Sequence, residues 1–315
     1  MLKKKIIRKL LITTITTCLL LSVYLMPNSL NKEEKLKTNI EVKQVQKVSK
    51  CKLYLPNNDN LLVRTTTLVF NNKDIENKIK DIISNLMTIN DSIIPKGLNT
   101  IIPKNTKILG IKVDENIVYI NFSKELLNID SSLEETLIEA ISYSILELKE
   151  INGVSIYVDG VNINGLLNIK VPSIITKDYG INKEYNLTSK NNIKKFVVYY
   201  IEELNNEKYY VPITKYVNDN RDKIKIIIEN LSSNYIYEPN LVSYLTQNTE
   251  LINYEINNDI MTLNFNNSVF MSDGKLLEEV TYPIMYSIFD NYNVKEVIIK
   301  AKDKEILKKT AKELE

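Results

Sequence analysis

The chain repeats itself at a fixed interval of 143 residues. Residues 105–122 return as residues 248–265, and both stretches end in the same Asn-Phe pair. No gap is needed to align residues 97–158 with their counterparts. A match of this length at a single interval indicates a duplicated unit. The sequence therefore predicts two similar domains in tandem rather than one large domain.

The pattern of apolar residues predicts the first elements of the repeated unit. Residues 52–55 and 61–70 are rich in β-branched and aromatic side chains, which predicts two strands. The apolar residues of 75–86 recur at helical spacing and predict an amphipathic helix. The stretch 105–122 predicts a second pair of strands with a turn at 114–116.

A second helix and a last strand complete the unit. Ser131 and Glu134 have the spacing of a capping box, which predicts a helix that starts there and continues to Leu148. Residues 154–158 predict the closing strand. The order ββαββαβ indicates an α+β fold, a small mixed sheet with two helices on one face, present twice behind an N-terminal membrane helix.

The second copy, which begins near Phe196, differs from the first in its second helix. Pro283 stands where the first copy has Ala140, and Gly274 and Leu277 replace the capping residues. A proline inside a helix removes one backbone hydrogen bond and costs about 3 kcal/mol. We therefore expect a kinked or late-starting helix in the second copy.

The N-terminal segment predicts a membrane anchor. Residues 10–26 carry no charge and would extend about 26 Å as a helix at ~1.5 Å per residue. Five basic residues precede them within 1–9, so the positive-inside rule places everything after Asn28 outside the cytoplasm. A cleaved signal peptide is the alternative, although residues 23–27 offer no small-x-small cleavage site.

The two cysteines do not change this interpretation. Cys18 lies in the middle of the apolar run, behind two threonines, and is a poor match to a lipid-attachment site. Cys51 opens a predicted strand, so we expect it to act as a small apolar residue and to form no disulfide with Cys18.

These observations divide the chain into six segments. They are a basic cytoplasmic segment (1–9), a transmembrane anchor or signal segment (10–26), a tether (27–50), a first domain (51–160), a connector (161–194) and a second domain (195–312). The tether is expected to be solvated, because its polar residues show no apolar period.

The charge of the chain argues against a nucleic-acid partner. The formal net charge is +2, but five of the 41 basic residues lie before residue 10, so acidic residues outnumber basic ones in the remainder. A nucleic-acid-binding protein needs a basic patch or stripe. We therefore expect no nucleic-acid binding.

The residue types present exclude several kinds of catalytic site. The chain has no histidine, which removes histidine-based triads and imidazole metal ligands, and its seven glycines form no phosphate-binding loop. Two carboxylate pairs, Glu134 with Glu135 and Glu278 with Glu279, are expected on solvated helix faces, and Asp159 in a turn. The sequence thus predicts no catalytic, cofactor-binding or metal-binding residue, and no cofactor.

Tyrosines occur in close pairs, at 199–200, 209–210 and 235–237. Such clusters can form a surface that contacts a carbohydrate or a protein partner. Consecutive residues of a strand point to opposite faces, so ordinary packing with one core and one exposed tyrosine in each pair is the favoured interpretation.

Several of these residues resemble the GerMN domain of the GerM-type sporulation and spore germination proteins. The resemblance is carried by Gly97 and Leu98, Ile102 and Pro103, Asn105 and Thr106, the segment 118–125, the helical segment 138–148 and the closing segment 154–160. It covers 51–160 clearly and 196–311 more loosely, and 177–182 resembles the connector of the family. The second copy departs from this pattern at one position, where Thr246 replaces Pro103.

The resemblance implies a non-catalytic protein that acts outside the cytoplasm of an endospore former. Its expected role is a membrane-anchored assembly module that supports a protein complex between the mother cell and forespore membranes, with protein partners from sporulation. The alternatives are a peptidoglycan-binding or cortex-modifying accessory and a solute-binding protein with a deep pocket between its domains. The resemblance supplies no catalytic residue.

Overall fold

The computed structural model describes residues 2–24, 48–70, 74–87, 94–233, 240–270 and 276–314. Helix α1 (Leu2–Tyr24) belongs to one unit of the chain, and everything from Lys47 onward forms a second compact unit. Within the described ranges, no helix combines the length and the apolar character needed to cross a membrane. The last two residues of the segment 10–26 and most of the tether lie outside these ranges.

The second unit contains the two repeats in sequence. The elements of the first are β1 (Val48–Pro56), β2 (Leu62–Phe70), α2 (Ile75–Leu86), β3 (Ile108–Asp114), β4 (Ile117–Phe122), α3 (Glu134–Leu146), β5 (Gly153–Val158) and β6 (Val161–Asn162). After β7 (Glu184–Asn186) in the connector, the second repeat contains β8 (Ile193–Leu204), β9 (Glu207–Asn218), α4 (Lys223–Ser232), β10 (Leu241–Val242), β11 (Leu251–Asn257), β12 (Ile260–Phe265), α5 (Glu278–Asn291), β13 (Glu296–Ala301) and β14 (Lys304–Thr310). The predicted order ββαββαβ is therefore present in both, with β6 added to the first repeat and β10 and β14 added to the second.

The strands of each repeat belong to two sheets, not to one. One four-stranded sheet has the order β3-β4-β5-β6 and the other β11-β12-β13-β14, each with a parallel pair at its centre. The hairpins β1–β2 and β8–β9 instead join across the repeats in a six-stranded sheet, β1-β2-β9-β8-β10, with β7 on β9. The prediction of one sheet for each domain is wrong, because the first hairpin of each repeat pairs with the hairpin of the other repeat and not with the four-stranded sheet of its own. The two hairpins meet where Arg64 of β2 pairs with Tyr210 of β9.

The core of each repeat follows the period of its strands. Along β4 the alternate residues Val118, Ile120 and Phe122 are fully buried, and along β12 their counterparts at the same interval, which end at Phe265, are buried as well. Each such side chain contributes roughly 1.5–3 kcal/mol of hydrophobic stabilisation. Cys51 is a buried free thiol, as predicted for a small apolar residue.

The helix starts differ from the predicted capping. Asp130 caps a short 3-10 helix, Ser131–Leu133, by accepting a hydrogen bond from the Ser132 backbone, and α3 begins only at Glu134. The capping box of Ser131 and Glu134 is therefore wrong. In the second repeat α5 begins at Glu278, and Pro283 lies inside this helix rather than at its first position. Gly274 lies outside the described residues.

The connector packs on the first repeat. Ile175 exchanges two backbone hydrogen bonds with Val154 at 2.8 and 2.7 Å. Asn182 bonds through its side chain to the backbone of Leu62 and to the carbonyl of Pro212, and so bridges the two hairpins. The connector thus holds β2 and β9 together as well as linking the repeats in sequence.

Candidate functional site

The carboxylates considered as catalytic groups have structural partners. Glu134 is only 5% exposed and accepts two hydrogen bonds from Asn168, both 2.8 Å long, so its predicted place on a solvated face is wrong. Glu135 pairs with Lys183 at 2.6 Å and Glu279 pairs with Lys208 at 2.6 Å. In the described part of the chain, no group of three or more His, Cys, Asp or Glu side chains could hold a metal ion.

The other two carboxylates considered as catalytic groups, Glu278 and Asp159, lie on the surface. Glu278 is exposed in the first turn of α5. Asp159 has a φ of 46° and Gly160 a φ of 81°, and together they form the two-residue turn between β5 and β6. Asp159 therefore occupies the turn expected of it.

The tyrosine pairs do not show one core and one exposed residue. Tyr199 and Tyr200 are both buried, because β8 is a central strand with seven consecutive buried residues. Tyr209 is buried and Tyr210 is half-buried. Residues 235–237 lie outside the described ranges. The expectation of alternating exposure is thus wrong for β8, where both faces are covered.

A polar cluster at the core of the first repeat is built around Tyr54. Its backbone N–H donates to the Ser144 hydroxyl at 3.0 Å, and its own hydroxyl donates to Glu147 Oε1 at 2.8 Å. Its ring meets Tyr143 edge-on, with 5.8 Å between the ring centroids. The cluster fixes the end of α3 against β1.

The second repeat contains the same cluster. The Tyr199 N–H donates to the Ser287 hydroxyl at 3.0 Å, its hydroxyl donates to Asp290 at 2.5 Å, and its ring packs against Tyr286 with 5.2 Å between centroids. Ser287, Asp290 and Tyr286 lie 143 residues after Ser144, Glu147 and Tyr143 of the first cluster. Both repeats thus contain the same hydrogen-bonded cluster.

Charged side chains connect the two clusters. Arg64 of the first repeat donates to Glu147 Oε2 at 2.8 Å, and its guanidinium carbon lies 4.6 Å from the centroid of the Tyr286 ring in the second repeat. Lys177 of the connector lies 3.5 Å from Asp290. The four charges therefore form two neighbouring ion pairs at the junction of the repeats.

The surroundings of these charges shift their pKa values. Burial alone would raise the pKa of Glu147, but the charges of Arg64 and Lys177 outweigh it and hold this pKa below its usual value. Burial by itself would lower the pKa of Arg64, but the Glu147 carboxylate raises it, so that this pKa lies above its usual value. Both groups are therefore charged across the physiological range.

A cavity of about 510 Å³ lies beside these ion pairs, between the repeats. It has the size of a small-molecule pocket. Its central charges are matched to one another, however, since Arg64 and Glu147 pair directly and Lys177 faces Asp290. We therefore interpret Arg64, Glu147, Lys177 and Asp290 as a clamp that holds the repeats together, and not as the site of a solute-binding protein.

The serines of α3 provide a test of the cluster around Tyr54. Ser144 accepts from the Tyr54 backbone, whereas Ser142, two residues earlier and equally buried, has no hydrogen-bond partner in the described ranges. We expect Ser144→Ala to lower the free energy of unfolding by about 1–3 kcal/mol, because a buried N–H loses its acceptor. Ser142→Ala should be neutral or stabilising. Urea titration of both variants checks this, and equal losses in the two would contradict it.

Each repeat has one exposed apolar side chain at an equivalent edge position. Leu109 on β3 is 52% exposed and Ile252 on β11 is 51% exposed, and the two are equivalent positions of the repeat. Both strands are the outer edges of their four-stranded sheets. Single exposed apolar residues are common on protein surfaces. These two differ because the same edge position is exposed in both repeats, and this recurrence makes them a candidate contact surface.

Each of these side chains lies at a β-bulge. In the first repeat Ile108 faces Phe122 and Gly110 faces Asn121, so the residue between them is left without a partner. In the second repeat the register skips Ile252 in the same way. Bulges bend an edge strand, interrupt its pairing and change the direction of a side chain. The bulges of both repeats thus turn one apolar side chain outward.

Sequence reasoning missed the clamp and the bulges. A signal for the clamp was present, since Glu147 and Asp290 are acidic residues that recur at the helix end. The bulges have no such signal, because Leu109 and Ile252 continue the apolar alternation expected of a regular strand.

The fold and the duplicated clusters define a tandem α+β protein whose two homologous domains are joined by a shared sheet. The chain belongs to the family described as "Germane: Sporulation and spore germination", whose model matches residues 52–164 and 197–307. The resemblance to GerM-type proteins is therefore confirmed.

The chain is also similar to a curated protein and to solved structures. The chain is 25% identical over 225 residues to the spore germination protein GerM of Bacillus subtilis (strain 168), covering 67% of this chain and 60% of that protein. The solved tandem GerMN domains of the sporulation protein GerM from Bacillus subtilis match 82% of this chain and 92% of that structure, with a TM-score of 0.72 and 21% identity. A structure of the first GerMN domain alone matches 41% of this chain and 98% of that structure, with a TM-score of 0.38 and 15% identity.

Proposed function

We propose that this chain is a non-catalytic assembly module, held at a membrane through residues 10–26, with both domains outside the cytoplasm. In this role it supports a protein complex between mother cell and forespore. Membership of a sporulation and germination family supports the setting. The five basic residues that precede the uncharged run support the orientation.

The duplicated bulge carries the proposal. Leu109 and Ile252 are apolar side chains that burial inside the molecule does not explain. Because a bulge interrupts the edge of the sheet, a partner would contact these side chains rather than extend the sheet as an added strand. Each would fill an apolar pocket on the partner.

Two equivalent contacts on one body make the interaction bivalent. When the first contact has formed, the second becomes intramolecular, and the combined affinity can exceed either alone by roughly 10²–10⁴-fold. This benefit requires the two repeats to stay in a fixed arrangement. The shared sheet, the contact of Arg64 with the Tyr286 ring and the ion pair of Lys177 with Asp290 supply that arrangement.

Site-specific crosslinking in sporulating cells tests the proposal. The full chain, in a host whose own copy is deleted, would carry a photo-crosslinking residue at position 109, 252 or 161. Val161 is a matched control, since it is 55% exposed on another strand of the first repeat. We expect positions 109 and 252 to yield the same adduct and position 161 to yield none.

The phenotype of a double variant completes the test. Leu109→Lys combined with Ile252→Lys should lower the yield of heat-resistant or germinating spores at least tenfold, whereas Val161→Lys should not. Cell fractionation with and without residues 1–26 tests the anchor separately. Equal adducts at all three positions, or a normal spore yield from the double variant, would refute the assembly role.

A further inference from the structure

Tyr185 is the most unusual side chain on the surface of the second unit. It is 63% exposed, and no other aromatic side chain whose burial the structure describes is exposed. Its ring stacks on Tyr216 with 4.7 Å between centroids and 14° between planes. One face of the ring is therefore covered by a second tyrosine, and the other face is open to solvent.

The backbone holds this stack in place. Tyr185 lies at the centre of β7, where it is the register partner of Tyr216 on β9. Gly180 has a φ of 89°, and a side chain there would come within 3.0 Å of the Tyr216 hydroxyl. The close approach of backbone and ring needs glycine at this position. The stacked pair is thus a rigid flat platform.

A polar cleft of about 630 Å³ adjoins the platform. Its walls include Asn60, Ser132, Thr136 and Asn186, together with the apolar side chains of Leu61 and Ile213. The side-chain amides of Asn60 and Asn186 make no hydrogen bond to any other described residue, so both are free to donate to and accept from a ligand. The cleft combines a flat apolar platform with amide and hydroxyl groups.

The charges of the cleft exclude an anionic ligand. Lys183 is the only cation among the cleft residues in the described ranges, and its ammonium donates to Glu135 at 2.6 Å and Glu139 at 2.8 Å. The Lys183 side chain is 5% exposed and is not available to a phosphate or carboxylate. Glu135 itself is half exposed and faces the ligand space as an acceptor. A neutral ligand rich in hydroxyl groups fits this pattern.

A second cavity borders the cleft. It has a volume of about 370 Å³ and shares Glu184 and Asn186 with the cleft, whereas Tyr185 lines the cleft and not the second cavity. Its cations are paired, Lys215 with Glu184 and Arg221 with Asp219 and Glu229. A ligand stacked on Tyr185 therefore lies in the cleft.

We propose that this cleft binds a neutral β-linked oligosaccharide, with one sugar ring stacked on Tyr185 and its hydroxyl groups bonded by Asn60, Asn186 and Glu135. The C–H face of a β-linked hexose is flat and apolar and matches the exposed face of an aromatic ring. This site is distinct from the bulge residues Leu109 and Ile252, so it goes beyond the proposed assembly role.

Calorimetric titration of the full chain tests the site. The probes are chitotetraose and cellotetraose, which are both β-linked and differ in their N-acetyl groups, and maltotetraose, which is α-linked. We expect binding of one or both β-linked probes. Tyr185→Ala should weaken that binding about tenfold, the loss expected of about 1.4 kcal/mol from a stacked aromatic contact. Tyr185→Phe should retain it.

Leu187→Ala is the matched control, because Leu187 is an exposed apolar neighbour that lines neither cavity. It should bind as the unchanged protein does. Unfolding midpoints of all variants confirm that each is folded, since an exposed residue contributes little to stability. Absence of binding to both β-linked probes, equal binding of maltotetraose, or full binding by Tyr185→Ala would each overturn the proposal.

Discussion

Replacement of Glu147 by alanine is expected to lower the free energy of unfolding by about 3–5 kcal/mol, the usual loss when one partner of a buried ion pair is removed. Glu147 accepts from both Tyr54 and Arg64, each at 2.8 Å. Without it, the Arg64 guanidinium stays buried at the junction with its charge unmatched, and the Tyr54 hydroxyl loses its acceptor. Urea-induced unfolding measures the loss.

Two controls separate the buried charge from a general effect of substitution. Asp114 forms an ion pair with Lys112 at 2.8 Å, but the Asp114 side chain is 55% exposed and the Lys112 side chain 70%. Asp114→Ala should therefore lower the free energy of unfolding by no more than about 1 kcal/mol. The double variant Arg64→Met with Glu147→Leu should regain most of the lost stability, because apolar residues of similar volume can replace a buried pair. A Glu147→Ala variant as stable as Asp114→Ala would contradict the clamp.

The same pair gives the protein an acid-sensitive step. The pKa of Glu147 is lower in the folded protein than its ordinary value of 4.5, so the folded state holds this proton more weakly than the unfolded chain. The resulting stability is complete above the unfolded pKa and is lost as the pH falls through the folded pKa. The Met and Leu double variant should therefore lose less stability below about pH 4.5 than the unchanged protein.

Much of the fold can be predicted from local patterns in the sequence. The duplication, the order of elements and the burial of Cys51 follow from interval, period and residue type, which depend on neighbours in sequence. The turn at 114–116 follows in the same way, since Glu115 and Asn116 adopt positive φ in a two-residue hairpin turn. Such features are decided within a few residues and can be predicted.

The joining of the repeats depends on contacts that no local pattern specifies. The pairing of β2 with β9 joins strands from different repeats that lie far apart in the sequence. One signal was available in the sequence, because the unbroken apolar run of residues 196–201 indicates a strand covered on both faces rather than the edge of a small domain. Glu134 was misjudged for a similar reason, since its partner Asn168 lies in the connector.

The candidate sites were harder to predict than the fold. Tyr185 lies in a polar stretch of the connector, and only the register of β7 on β9 places it on Tyr216. Leu109 and Ile252 look like ordinary strand residues, and only the skipped register reveals their outward direction. In both cases the function depends on a backbone feature whose cause lies in another element.

Loss of a core phenylalanine in either repeat is expected to destabilise both repeats together. Phe122 and Phe265 are equivalent and fully buried, and Phe→Ala in a core costs about 3–5 kcal/mol. Arg64 contacts Tyr286, Asn57 donates to Glu202 at 2.7 Å, and β2 pairs with β9, so each repeat stabilises the other. We therefore expect one unfolding transition in Phe122→Ala and in Phe265→Ala.

Hydrogen exchange measured for individual peptides distinguishes this joint unfolding of the two repeats from independent unfolding of each domain. In either variant the slowest amides of both repeats should exchange faster by the same factor, because their protection reflects one global opening. Leu109→Ala, which removes an exposed side chain, should leave the exchange of both repeats unchanged. Faster exchange confined to the substituted repeat would mean that the shared sheet and the clamp do not couple the domains. The bivalent contact through Leu109 and Ile252 would then lose the fixed arrangement on which it depends.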